Sequence, residues 1–372
     1  MKNFKKIIAL LLALTLCMGL CASAFAFEAE SAETQADALN ILGLFQGTDK
    51  GYELDRTPTR LEALIMLIRL SGKENDALYP WEPYENVPFT DIPTWEGAAE
   101  YIGYAYANGL TDGVTETTFA PNEPATAQMF MAFTLRALGY DAAAAWENWE
   151  ALSTEARLIA EGVDLNNFKR GDAVLVSAAA LNANVTNAMC MNCGTTYDGG
   201  ADACPECAYE QDGTLCGQLM ANGVFNELAY SIYNYTLGKE VTAESPLMDI
   251  YGKLYANLED GPYLGALWPM PFTSEDAAWI IGAEGLDIVE AYACEPMMSS
   301  VAHSVCLIKM AEGSDIEAAK TAIRENVNPA KWICVSVDPE NIRVESIGNL
   351  ILLVMDNTHC DQIAENFLSL AK

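Results

Sequence analysis

The sequence predicts a multidomain chain: an all-α bundle of helical repeats carrying a small four-cysteine insertion, followed by a small α+β domain. Three observations predict it. Glycines and helix-start residues recur at a spacing of 66 to 67 residues between Gly43 and Gly139. Two Cys-x-x-Cys pairs interrupt the helical pattern beyond Met189. After Leu247 the apolar residues switch back and forth between a helical period and strict alternation.

The N-terminus bounds the compartment. Lys2, Lys5 and Lys6 precede an apolar run, Ile7 to Leu20, and then Ala24-Phe25-Ala26. Charged region, apolar region and small-residue cleavage site in that order predict a secretory signal peptide over 1–26. The run is short for a membrane span. Leu16 and Leu20, before Cys17 and Cys21, stand where a lipidation signal carries a small residue. No later segment is apolar enough to span a bilayer. The full chain is 51% apolar with 9% aromatics, enough to build cores rather than remain disordered. The formal charge is −32, and removing the three leader lysines gives −35. Such a surface repels nucleic acid and anionic lipid. It suits an extracellular protein, and it is also what solubility alone would produce.

The first copy of the repeat spans 35–74. Ala36, Leu39, Ile41 and Leu42 form a helical stripe that stops at Gly43-Leu44. Tyr52-Glu53-Leu54-Asp55 reads as an extended piece. Thr59-Arg60-Leu61-Glu62 then opens a second helix as a capping box, with Ala63, Leu64, Met66, Leu67 and Leu70 on its apolar face and Ser71-Gly72 at its end. The second copy, 86–141, matches it at Gly109-Leu110, Gly113, Thr126, Arg136 and Gly139. It adds Phe89-Thr90-Asp91, Trp95 and Phe119-Ala120-Pro121. Lys73 to Pro88 is the linker. A weaker third copy is expected over 146–240: a helix from Leu152 to Glu161, Gly162-Val163 in the place of Gly109-Leu110, and Lys169-Arg170-Gly171-Asp172 opening the second helix. One copy alone cannot bury its apolar faces, whereas stacked copies can.

These motifs resemble the S-layer homology (SLH) repeats of Gram-positive surface proteins. The resemblance implies three repeats in a pseudo-threefold helical bundle whose grooves bind a pyruvylated secondary cell-wall polysaccharide. It also implies that the helix-start Arg and the repeat's Asp and Trp help to form those grooves. On this sequence the implied polysaccharide contacts are Arg60, Asp91, Trp95 and Arg170. The chemistry is coherent, since a guanidinium at a helix N-terminus suits a ketal carboxylate and an indole face suits a sugar. The second copy carries Ala127 where the Arg is expected, so that groove is expected to lack its carboxylate contact. The alternative reads Arg60 and Arg170 as ordinary surface helix-start arginines making local ion pairs, and Arg69 and Arg136, deeper in their helices, read as structural.

Cys190-x-x-Cys193 and Cys204-x-x-Cys207 are separated by ten residues, with Gly194 and Pro205 in knuckle positions. Four thiolates so spaced predict a structural zinc ribbon over 188–210, closed to water and therefore not catalytic. Disulfides, which an oxidising exterior permits, and an iron site are the alternatives. The ribbon reads as an insertion, because Thr214 to Phe225 would continue naturally from Leu181-Asn182. Gly238 to Pro246 reads as a domain boundary.

The C-terminal region, 247–372, predicts helices at Leu247–Leu258, Thr273–Ile281, Leu286–Tyr292, Asp315–Glu325 and Cys360–Leu370. Strands are predicted at Ala302–Met310, Trp332–Val337, Asn341–Ser346 and Leu350–Met355. Glu284-Gly285-Leu286-Asp287, Glu295-Pro296-Met297-Met298 and Gly348-Asn349-Leu350 through Val354 resemble the DUF4358 family of surface proteins. That resemblance implies no activity.

No nucleophile elbow, phosphate loop, dinucleotide fingerprint or zinc-protease motif occurs. His303 and His359 are the only histidines. The expectation is a non-catalytic protein of the Gram-positive-type cell wall, anchored by its repeats and displaying the C-terminal domain. The alternatives are an envelope enzyme, which would show a convergent polar pocket around His303, and a repeat-derived protein-interaction scaffold.

Overall fold

The computed structural model describes residues 31–258, 266–297 and 300–371. The expected signal peptide lies outside them. Eight helices build the first half: α1 (Ala32–Ile41), α2 (Arg60–Leu70), α3 (Glu74–Leu78), α4 (Ala98–Ala107), α5 (Ala127–Ala137), α6 (Ala142–Glu147), α7 (Trp149–Glu155) and α8 (Arg170–Leu181). The capping chemistry is local. The Glu62 amide donates to Thr59 Oγ1 at 3.2 Å and the Thr59 amide to Glu62 Oε2 at 2.7 Å, a complete capping box at the start of α2. At α5 only half of it survives. Thr126 Oγ1 accepts from the Met129 amide at 3.2 Å, and Met129 has no carboxylate to return.

The helices close into a ring. The first helix of each copy packs on the second helix of the copy before it: α4 on α2, α7 on α5 and α1 on α8. The second helices meet in the middle, α2 against α5 and α5 against α8. Ala63, Met66, Leu70, Phe130, Leu135, Val174 and Leu181 are buried in their shared core.

The third copy departs from expectation. In copies one and two the first helix ends on a left-handed glycine, Gly43 (φ 73) and Gly109 (φ 67). The next amide bonds back into the helix, Leu44 to Leu39 at 2.9 Å and Leu110 to Ala105 at 2.8 Å. The third copy makes the same closure at Arg157 (φ 57), with the Leu158 amide on the Ser153 carbonyl at 2.8 Å. The equivalent of Gly109-Leu110 is therefore Arg157-Leu158, not Gly162-Val163. Leu158, fully buried, holds the turn that glycine favours elsewhere.

A two-stranded hairpin, β1 (Ala188–Met189) and β2 (Thr196–Tyr197), follows α8. It leaves and re-enters the bundle at one point. Asn184 bridges Thr214, the Val185 amide bonds the Gly213 carbonyl at 3.0 Å, and the Leu215 amide bonds Ala183 at 2.9 Å. Residues 186–212 thus form an excursion, after which α9 (Leu215–Ala221) and α10 (Glu227–Thr236) resume the helical layer.

The C-terminal part comprises α11 (Leu247–Tyr255), β3 (Leu267–Pro271), α12 (Ala277–Ile280), β4 (Ile288–Pro296), β5 (His303–Met310), α13 (Ile316–Asn326), β6 (Ile342–Ile347), β7 (Leu350–Asp356) and α14 (Cys360–Leu368). Its antiparallel sheet runs in the order β3-β4-β5-β7-β6. α10, α11 and α14 cover one face, while α12, α13 and the segment around Trp332 cover the other. β5 and β7 are central and almost wholly buried, which explains their continuous apolar runs.

Two expectations fail here. Leu286–Tyr292 is not a helix. It leads into β4, whose β-branched start and small inward residues Ala291 and Ala293 pair along β5. Trp332–Val337 is not a strand. Trp332 and Val337 turn inward, Ile333 is 71% exposed and Cys334 is left-handed (φ 68), so no ladder forms. β3 was not anticipated because two of its five residues are proline. An edge strand tolerates them.

The expected boundary at 238–246 does not separate two cores. α10 sends Ala229 and Tyr233 into the repeat core and Leu228 and Ile232 into the sheet core. It crosses α11 at Gly252, where a Cβ would lie 2.4 Å from the Ser231 carbonyl oxygen.

Candidate ligand groove and metal centre

Arg60 opens α2 and is held by its neighbours' backbone. Its amide donates to the Glu123 carbonyl at 2.8 Å, so the start of one copy's helix docks on the Pro-turn of the next. The side chain is 8% exposed. Nη2 donates to Thr111 Oγ1 at 3.1 Å, Nη1 lies 3.8 Å from Met129 Sδ, and the guanidinium sits 5.1 Å over the Phe119 ring. No carboxylate among the described residues pairs with it. Burial alone lowers its pKa. Arg60 lines a groove of about 510 Å³ together with Thr111, Met129, Arg136 and Trp146, with Asp112 and Glu147 also in its wall. Arg136 donates to the carbonyls of Leu110 at 3.0 Å and Ala142 at 3.1 Å, again without an ion pair.

Arg170 occupies the corresponding place one position round the ring, where α8 docks on the first copy through Arg56 and Leu54 carbonyls. It sits 5.3 Å over Phe45 and donates to the carbonyls of Tyr52 at 2.9 Å and Gln46 at 3.3 Å. Here a carboxylate does stand beside the cation, with Glu62 Oε1 3.7 Å from its Nη1, but Glu62 is shared with Arg56, which holds it more closely at 2.5 and 2.7 Å. Arg69, the counterpart of Arg136, is likewise paired with Glu74 at 2.6 Å. The difference lies in one helix position. Glu62 of α2 faces Arg170, and the matching residue of α5, Met129, faces Arg60.

Asp91 and Trp95 are not in the Arg60 groove. Asp91 accepts from the amides of Phe119 at 2.9 Å and Ala120 at 2.8 Å, bracing the turn on which Arg60 docks. Burial would raise its pKa, but these amides outweigh it and hold the carboxyl below the usual range. Trp95, 47% exposed, packs near Tyr101. The four predicted contacts are therefore not brought together. The groove's indole is Trp146, 42% exposed. It precedes α7 by three residues, as Trp95 precedes α4, so Trp146-Glu147 is the third copy's equivalent of Trp95-Glu96. A Trp-Glu pair also occurs at Trp81 and Trp149, so the offset of three residues from the following helix is what singles out Trp146. Arg136 carried no signal, because ring closure brings it to Arg60.

The four cysteines converge. All four Sγ atoms lie within 4.8 Å of one another, with Cys190 to Cys207 and Cys193 to Cys204 each at 3.6 Å. A tetrahedron with metal–sulfur bonds of about 2.3 Å has sulfur–sulfur edges of about 3.8 Å. A disulfide needs about 2.05 Å. The donor set fits a closed tetrahedral metal site, and Cys190 and Cys204 are each 1% exposed within the repeat core.

His303 is wholly buried in the sheet. Its Nε2 is 2.6 Å from Tyr255 Oη and its Nδ1 is 2.7 Å from Asp356 Oδ2. Asp356 Oδ1 accepts the amides of Thr358 and His359. A cavity of about 430 Å³ opens alongside. Both ring nitrogens of His303 are spent on internal partners.

Comparison with known proteins rests on the middle copy. Residues 88–126 match the S-layer homology domain. The chain carries an S-layer homology domain. Its matched stretch holds Asp91, Trp95 and the docking turn, and it ends at Thr126, just before the departures at Ala127 and Met129. Three relatives extend the likeness: a cell surface protein of Thermoanaerobacter kivui, 30% identical over 193 residues; a surface layer protein of Brevibacillus choshinensis, 26% over 180; and a middle cell wall protein of Brevibacillus brevis, 30% over 149. The matches cover 49%, 45% and 37% of this chain and 25%, 16% and 14% of those proteins. The chain thus spans a quarter or less of each relative's length. The S-layer homology domain and these surface relatives assign the chain to the cell surface. No helix among the described residues is long and apolar enough to cross a membrane.

Proposed function

We propose that this is a non-catalytic cell-surface protein held to a pyruvylated secondary cell-wall polysaccharide through the Arg60 groove, with the C-terminal domain displayed outward. S-layer homology domains generally bind cell-wall polysaccharide. The observation that carries the reading is a buried guanidinium with no carboxylate partner, in a chain of charge −32, facing a groove beside Arg136 and Trp146. Leaving a buried charge uncompensated is costly. An incoming carboxylate would compensate it with charge-assisted hydrogen bonds, while the indole offers a sugar its face. Arg170, which shares Glu62 with Arg56 and is tied to the Tyr52 and Gln46 carbonyls, serves the fold.

The four-cysteine centre is read as structural zinc in a ribbon, with Cys190, Cys193, Cys204 and Cys207 as ligands. The C-terminal domain is read as DUF4358-like. Catalysis there has little support, since His303 faces Tyr255 and Asp356 rather than a substrate.

The test is co-sedimentation of the mature chain with wall polysaccharide before and after removal of its pyruvate. The whole chain is required, because a fragment ending near 240 would bare the Leu228 and Ile232 face of α10. Arg60→Ala is expected to abolish binding with a small change in melting temperature. Arg170→Ala is expected to lower the melting temperature, because it removes the packing on Phe45 and the hydrogen bonds to the Tyr52 and Gln46 carbonyls. Equal binding by wild type and Arg60→Ala would end the anchoring hypothesis.

A further inference from the structure

A second cavity, of about 450 Å³, lies where the cysteine excursion, α9, α10 and β3 meet. It is distinct from the Arg60 groove and shares no residue with it. Its walls are apolar and polarisable: Phe225, Met220 and the half-exposed rings of Tyr209 and Trp268. The wall is rigid, because Phe225 stacks on Tyr230, and Tyr230 stacks on Tyr233, at 6.4 and 5.9 Å between centroids.

The polar groups decide what could bind. Two amides line the cavity, and each is already engaged through both its nitrogen and its oxygen. Gln211 donates to the Met189 carbonyl at 2.8 Å and accepts the Met191 amide at 2.9 Å. Asn226 donates to the Leu267 carbonyl at 2.8 Å and accepts the Ala229 amide at 3.0 Å. These bonds tie the excursion to itself and α10 to β3, so the cavity is pre-formed. They also leave little for a neutral, hydrogen-bonding ligand. What remains is negative. Glu227 stands exposed in the first turn of α10, and Asp212 spends one oxygen on the Thr214 amide. No lysine, arginine or histidine is in the lining. Aromatic faces and thioethers with carboxylates at the rim, and no cation, form the environment that stabilises an alkylated ammonium.

We propose that this cavity binds an organic ammonium group, seated between Tyr209 and Trp268 with Glu227 and Asp212 as counter-charges. The group could be a free quaternary amine or a lysine-type ammonium presented on a peptide. Both share the chemistry, and the experiment separates them.

The assay is isothermal titration of the full mature chain with three probes: choline, its neutral isostere 3,3-dimethylbutan-1-ol, and N-acetyl-lysine methylamide. The expected result is that one or both ammonium probes bind at least about tenfold tighter than the neutral isostere. Preference for choline would indicate a free quaternary amine, and preference for the lysine derivative a peptide. Trp268→Leu and Glu227→Gln should each weaken binding by roughly fivefold or more at unchanged melting temperature. Glu227 is exposed, so its variant tests charge without risk to the core. Affinity of both ammonium probes no better than that of the isostere, or no binding of either ammonium probe at millimolar concentration, would overturn the proposal. Loss of wall binding in Arg60→Ala leaves this result unaffected.

Discussion

Met129→Glu is the substitution that most sharply tests why one groove is open and the other closed. Met129 Sδ lies 3.8 Å from Arg60 Nη1, and Glu62 Oε1 lies 3.7 Å from Arg170 Nη1 in the equivalent place. A carboxylate at 129 would therefore neutralise Arg60 from within. At an effective dielectric of about 20, unit charges 4 Å apart attract by about 4 kcal/mol, an upper bound before the new carboxylate's own desolvation. A bound pyruvate carboxylate would then lose most of a charge-assisted contact worth about 1.5–3 kcal/mol. Affinity for pyruvylated polysaccharide should fall between ~10- and ~150-fold. Stability should move the other way. Glu at 129 completes the capping box that Thr126 now makes alone, a gain of about 0.5–1 kcal/mol and ~1–3 °C in melting temperature. Titration calorimetry and a thermal melt on the same variant check both signs. Unchanged affinity would refute the role given to the open Arg60. A fall in both affinity and stability would mean that the variant had simply damaged the fold.

Three further outcomes follow from other parts of the chain. Metal analysis should return one zinc per chain, and chelation or Cys190→Ser should lower the melting temperature by more than ~5 °C, because Cys190 and Cys204 sit inside the repeat core; absence of zinc together with an unchanged melt would remove the ribbon reading. Asp356 is burdened by burial, yet bonds from His303 and the His359 and Thr358 amides hold it at about 2. A depressed carboxyl stabilises above its unfolded pKa, so about 2 kcal/mol should be lost as pH falls from about 4 toward 2, and Asp356→Asn should flatten that limb of a pH–stability curve. Gly252→Ala should cost about 1–3 kcal/mol by forcing α10 from α11, read as an earlier denaturant midpoint; wild-type stability would mean that the crossing is looser than 2.4 Å implies.

Much of the architecture was legible because it is locally encoded. Capping residues, left-handed glycines and the Cys-x-x-Cys knuckles each fix a turn within a few residues, and their spacing exposed the repeat. The buried runs of β5 and β7 were legible for the same reason. What escaped was set by contacts distant in sequence. Arg157 replaces a glycine because Leu158 is fully buried, and no local signal announces that. Leu286–Tyr292 looked helical because its neighbours on β5 lie elsewhere in the chain. Grouping Arg60, Asp91, Trp95 and Arg170 as one kind of contact treated each copy as a unit. The ring instead builds the Arg60 groove from three copies, so Trp146 and Arg136, not Trp95, stand beside Arg60.

That construction gives a physical reason for the uneven grooves. The start of a second helix serves two of them at once: its first residue faces the next copy's loop, and its third residue faces the arginine of the copy before. In α2 those residues are Arg60 and Glu62, and Glu62 places a carboxylate, shared with Arg56, beside Arg170. In α5 they are Ala127 and Met129. Ala127 removes the cation from one groove, and Met129 removes the carboxylate that would have silenced Arg60 in another. Two substitutions in a single helical turn therefore shift positive charge out of one groove and uncover it in its neighbour. The copy that best matches the S-layer homology domain is in this way the one that leaves a single groove electrostatically open, without itself supplying that groove's principal arginine.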